Sequence, residues 1–123
     1  MPQVLLVANR PDAFEELAQA LQNKGTLDVT WAHDEETALE KAAADKPALV
    51  IVDDYIGKTT GLEWIQRLMG VNAFIQTAAV SSMTQDAFHE ASEGLGIMVQ
   101  LPPRPGKEEA ERILEMLKGL PGM

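Results

Sequence analysis

The chain has 123 residues, 46% of them hydrophobic and 24% charged, which is the composition of one folded domain and places it in the globular class, not the disordered one. Its 19 acidic and 10 basic residues leave a net charge of −9 without a cluster of Lys and Arg, so this domain is not expected to grip nucleic acid. Cysteine is absent, which excludes disulfides and thiolate metal sites; no apolar run reaches the ~20 residues of a membrane span and no signal-peptide pattern opens the chain, so a cytoplasmic location without membrane contact is expected.

Residues 4–8, Val-Leu-Leu-Val-Ala, form a short apolar run that predicts a first buried strand, broken by Asn9-Arg10-Pro11. Asp12 and Glu15 have the spacing of a capping box, and Phe14, Leu17, Ala18 and Leu21 follow at helical spacing up to Gly25, a natural terminator. Leu27, Val29 and Trp31 alternate with Asp28 and Thr30, the period of a half-exposed strand. Asp34 is placed to cap a second helix running to about Asp45, with Ala38, Leu39, Ala42 and Ala43 inward and Pro47 as its stop. A third strand leads into a loop over residues 54–60, and Leu62, Ile65, Leu68 and Met69 mark a third helix ended by Gly70. Residues 74–79 then read as a strand, 84–93 as a helix ended by Gly94, 97–101 as a strand and 107–118 as a strongly periodic last helix. Five strands alternating with five helices predict a doubly wound α/β fold, a parallel sheet with helices on both faces.

The third strand carries most of the functional information. Ala48-Leu49-Val50-Ile51-Val52 is rich in β-branched residues, reads as buried on both faces, and ends abruptly on Asp53 and Asp54. Charge at the carboxyl end of a buried parallel strand sits where open α/β sheets place their ligand crevice. The spacing from Asp53 to Gly61, with Leu62-Glu63 opening a helix, resembles the phosphoacceptor strand of response-regulator receiver domains, and the likeness covers nearly the whole chain. It implies a five-stranded flavodoxin-like sheet in the order 2-1-3-4-5, with residues 1–118 as the domain and 119–123 as a tail or the start of a linker.

The same resemblance implies a site. In receivers an acidic pair ends strand one, the phosphoacceptor Asp ends strand three, Thr or Ser ends strand four, and Lys followed by a cis-proline ends strand five. The carboxylates hold Mg²⁺ against the phosphoryl oxygens. Asp53 matches the phosphoacceptor, Thr77 the switch hydroxyl and Pro102 the cis-proline. Tyr55 falls where receivers use a backbone carbonyl. Ala8 and Asn9 replace the acidic pair, Leu101 (or Gln100, with a slip of one residue) replaces the lysine, Met98 stands at the switch-aromatic position and Gly57 replaces a common proline. Asp53 is then the one assured anionic metal ligand, and Mg²⁺ is expected to bind weakly at best. No other cofactor is expected.

Three residues are candidates to replace the missing groups, each with a plainer role preferred. Asp12 is read as a helix cap, with metal ligation as the alternative; Arg10 and Arg104 are read as exposed loop residues, with pairing to Asp53 as the alternative. Asp54 is pointed away from Asp53 by strand alternation unless the strand has already ended. His33 and His89 read as isolated surface histidines, Trp31 and Trp64 as packing residues, and the six methionines as core filler.

These departures predict a non-enzymatic module of two-component signalling with a degenerate phosphorylation site, a pseudo-receiver working mainly through protein–protein contacts. The alternative is an active phosphoacceptor using Asp53 with non-standard support. The resemblance implies a histidine kinase or another signalling protein as partner, and a homodimer through the face of helix four, strand five and helix five. A cofactor binder or phosphatase of the same layout is disfavoured. No phosphate-cradling loop follows strand one, and the aspartate pair follows strand three instead.

Overall fold

A computed structural model describes residues 3–24 and 27–119. Alternation along β1 (Gln3–Val7) sends Val4 and Leu6 into one apolar cluster and Leu5 and Val7 into another, so the strand is buried on both sides. β2 (Asp28–Ala32), β3 (Leu49–Val52), β6 (Gln76–Val80) and β7 (Val99–Leu101) join it in a parallel sheet of order β2-β1-β3-β6-β7. Counting these five alone, the order is the flavodoxin-like one expected from the sequence. α1 (Glu15–Lys24) and α5 (Lys107–Lys118) cover one face, where Phe14, Leu17, Leu21, Ile113 and Leu117 are buried. α2 (Glu35–Asp45), α3 (Gly61–Val71) and α4 (Gln85–Ala91) cover the other, where Trp64, Ile65, Leu68, Ala38 and Phe88 are buried. Each fully buried Leu, Ile or Phe side chain stabilises such a core by about 1.5–3 kcal/mol.

Local chemistry sets the element ends. Asp34 accepts the Thr37 N–H at 2.8 Å and the Thr37 hydroxyl at 2.9 Å, capping α2 as expected. Thr60 and Thr84 cap α3 and α4 through the N–H groups of Glu63 and Ala87. The indole of Trp64 donates to the Glu35 carbonyl at 3.2 Å, and Arg67 pairs with Glu35 and Glu36, which ties α2 to α3. On the edge strand β2, Lys41 Nζ donates to the Trp31 carbonyl at 2.7 Å.

Several expectations are corrected. The capping box at Asp12 and Glu15 does not form: Pro11–Phe14 is a 3₁₀ turn whose N-cap, Arg10, makes no side-chain cap bond, and Pro11 favours that tight start. Gly70 lies inside α3, which ends at Asn72 with its N–H on the Leu68 carbonyl. The fourth sheet strand begins at Gln76 because Asn72 Oδ1 accepts the Phe74 N–H at 3.0 Å, turning the chain and leaving Phe74 exposed. Ala43 is exposed on α2. The loop after Asp54 is a hairpin of β4 (Tyr55–Ile56) and β5 (Thr59–Thr60), turned at Gly57 with φ +64°. Gly25 and the tail beyond Gly119 lie outside the described residues.

Candidate functional site

β3 delivers Asp53 to the carboxyl edge of the sheet one residue past its last paired position, with the Asp53 N–H on the Val7 carbonyl at 2.9 Å. The residue is only 1% exposed. A buried carboxylate needs partners, and three N–H groups supply them. Arg10 Nε donates to Oδ2 at 2.8 Å, Arg10 Nη2 donates to Oδ1 at 2.7 Å, and the Asp54 amide donates to Oδ1 at 2.7 Å. The guanidinium therefore meets the carboxylate side-on with two parallel bonds, the strongest arrangement such a pair adopts. Arg10 Nη2 also donates to the Pro103 carbonyl at 3.2 Å. The bond to Asp53 is the chief influence raising the Arg10 pKa; the charges of Asp12 and Asp54 add to it, and burial opposes it. Arg10 is thus the paired residue and not the free loop arginine expected. Arg104 reaches Asp12 instead, at 3.9 Å, with both side chains largely exposed.

An open pocket of ≈ 440 Å³ surrounds this pair, lined by Asn9, Asp54, Tyr55, Gly57, Ser82 and Pro103 besides Arg10 and Asp53. Because β3 ends at Val52, strand alternation no longer governs Asp54: it faces the same pocket, where its Oδ2 accepts the Ser82 hydroxyl at 3.3 Å. The glycine at position 61 lets α3 start directly against the site, since a β-carbon there would collide with the Asp53 carbonyl.

The other assigned positions divide. Ala8 is buried and aliphatic. With its amide turned to satisfy both neighbours, Asn9 donates to the His33 carbonyl and accepts the Gly57 N–H at 2.6 Å, so its oxygen is already used. His33 closes this corner with Nδ1 2.9 Å from the Ala8 carbonyl and its ring stacked on Trp31. Leu101 is fully buried at the end of β7 and offers no charge. Met98 is half-buried against the α1–α5 side of the core, its N–H on the Thr77 carbonyl.

Two assignments are corrected by geometry. Thr77 is the second residue of β6 and pairs in register with Val50, three positions before Asp53, so it lies inside the sheet instead of at its edge. The hydroxyls at the carboxyl end of β6 belong to Ser81 and Ser82, and of these Ser82 lines the pocket. Pro102 is not cis: the described residues contain no cis peptide bond, in keeping with the ordinary trans preference of about 0.5–1 kcal/mol for bonds to proline. Ser81 and Ser82 were legible in principle, because the apolar run Ala78-Ala79-Val80 stops on them.

The donor set does not fit Mg²⁺. The ion asks for oxygen ligands, usually including one or two free carboxylates. Here both oxygens of Asp53 carry a guanidinium, the Asn9 oxygen is engaged, and no three His, Cys, Asp or Glu side chains among the described residues group where they could hold a metal.

Comparison with known proteins agrees with the fold. The family model of the response regulator receiver domain matches residues 4–114. No curated protein matches the chain. Among solved structures, a two-component response regulator from Clostridium difficile is similar at a TM-score of 0.84 and 14% identity, with 100% of both chains covered. A chemotaxis response regulator of Vibrio cholerae is similar at a TM-score of 0.80 and 22% identity, covering 95% of this chain and 98% of that one. The N-terminal domain of an uncharacterized protein from Wolinella succinogenes follows at 0.79 and 23% identity, covering 96% of this chain and 94% of that one. At such identities the structural likeness speaks for the fold, and the family match over residues 4–114 carries membership: the chain belongs to the response regulator receiver domains of two-component signalling.

Proposed function

We propose that this receiver is a non-enzymatic interaction module whose acceptor aspartate is held by Arg10 in place of a divalent cation. The single observation behind this reading is the two-bond pair of Arg10 with Asp53, at 2.8 and 2.7 Å. Phosphoryl transfer would need a carboxylate oxygen free to attack and cations to meet the incoming dianion. Asp53 has both oxygens engaged, and Leu101 supplies no ammonium. The signalling state then depends on what binds the domain: a histidine kinase or another signalling protein, or a second copy through the face of α4, β7 and α5.

The experiment is incubation of the purified domain with acetyl phosphate over a Mg²⁺ titration, followed by intact-mass measurement. No stoichiometric adduct is expected. An adduct that forms with Mg²⁺ and disappears in Asp53→Asn overturns the reading and establishes an active phosphoacceptor.

A further inference from the structure

Arg10 reaches beyond Asp53. One guanidinium joins three segments: the turn after β1, the end of β3 and the loop of residues 102–106, through the Pro103 carbonyl at 3.2 Å. That loop has further ties on the same side. The Lys107 N–H donates to Glu16 Oε2 at 2.9 Å, and Glu16 lies on α1, so α1 holds the first turn of α5. The Gly106 N–H donates to Glu109 Oε1 at 2.7 Å, and a β-carbon at Gly106 would collide with the Glu16 carboxylate. The exposed contact of Arg104 with Asp12 adds little. Glu16, Arg104, Gly106 and Lys107 also line an open groove of ≈ 650 Å³ between α1 and α5.

We propose that Arg10 is a latch that makes the position of the 102–106 loop, and the shape of the α1–α5 groove, depend on the charge of Asp53. The two bonds to the ionised carboxylate fix the plane of the guanidinium and aim Nη2 at the Pro103 carbonyl. When Asp53 is neutralised, or a partner group competes for it, those charge-assisted bonds are lost. One exposed bond to a neutral carbonyl does not then hold a long side chain in place. The loop loses its tie to β3, and the change emerges at the groove. This inference rests on the reading of Asp53 as held by Arg10 and adds its regulation.

Amide hydrogen exchange of the full chain tests it, with Gly106 and Lys107 as reporters. Arg10→Gln and Asp53→Asn are each expected to speed exchange there by about fivefold, the effect of one lost hydrogen bond. The double variant is expected to exchange no faster than either single one, because both changes open the same latch. Arg10→Lys, which keeps the charge and loses the fork, is expected to match Arg10→Gln and replaces it should that variant fail to fold. Faster exchange in Arg10→Gln with none in Asp53→Asn overturns the latch, as does additivity of the two effects or no change in any variant. Acetyl phosphate labelling of the same wild-type sample is scored separately: an adduct defeats the functional reading, whereas the exchange pattern alone decides the latch.

Discussion

A β-carbon on Gly61 would run into the backbone carbonyl of Asp53, so position 61 admits no side chain without a shift of the backbone. Gly61 opens α3, next to the Thr60 cap, so the glycine serves contact with the site and not backbone freedom. Gly61→Ala is expected to cost about 2 kcal/mol by overpacking. The melting temperature should fall by roughly 8 °C, and calorimetry that finds no loss would contradict the close approach.

Gly70, in the same helix, gives the opposite sign. A β-carbon there meets nothing within 4 Å, and the residue is interior to α3. Gly70→Ala should therefore stabilise by about 0.5–1 kcal/mol, the conformational entropy that glycine forfeits in a helix. Urea unfolding of the two alanine variants side by side checks both signs at once.

Arg10→Gln strands a carboxylate that is 1% exposed, with only the Asp54 amide left to it. The expected loss is about 2 kcal/mol. It stays below the roughly 3–5 kcal/mol of a fully buried pair because the Arg10 side chain is 43% exposed. Asp53→Asn removes the stranded charge, so the double variant should be no less stable than Arg10→Gln alone. Chemical denaturation of all four proteins measures this coupling.

Stability toward acid should depend on Asp34. The Thr37 amide and then the Thr37 hydroxyl hold its carboxyl below the ordinary 3.8. A carboxyl depressed on folding stabilises above its unfolded pKa, and that contribution disappears as pH falls through the folded value. The Thr37 amide resonance should therefore titrate with a midpoint under 3.8, and Asp34→Asn should abolish the transition. Arg10 has the reverse sign: its raised pKa keeps its contribution intact below the unfolded value, so it leaves no pH signature in the neutral range.

Regular structure was legible where periodicity was strong. α5 spans the expected residues 107–118, and α2 starts on the Asp34 cap, because both signals are local. Strand ends were harder. The strand expected over 74–79 is β6 at Gln76–Val80, and that shift moved the edge hydroxyl from Thr77 to Ser81 and Ser82. The Asn72 turn that causes it depends on one side-chain bond, which leaves no periodic trace. Asp53 could be placed from the apolar run before it, whereas Arg10 stood only as the alternative partner, behind the reading of an exposed loop residue. Arg10 and Asp53 are brought together by the β1–β3 pairing, and in sequence Arg10 has the composition of any turn residue. A carboxylate closing a buried apolar run was the available clue: a charge so placed demands a cation.

The ammonium of Lys41 on the Trp31 carbonyl has a bearing on self-association. β2 is the outer strand on its side, with carbonyls that another chain could use to lengthen the sheet. A newcomer pairing there would have to displace the ammonium already seated on the Trp31 carbonyl. The opposite border, β7, has only three residues. Both margins thus discourage edge-to-edge aggregation, which lets the sheet stop at five strands.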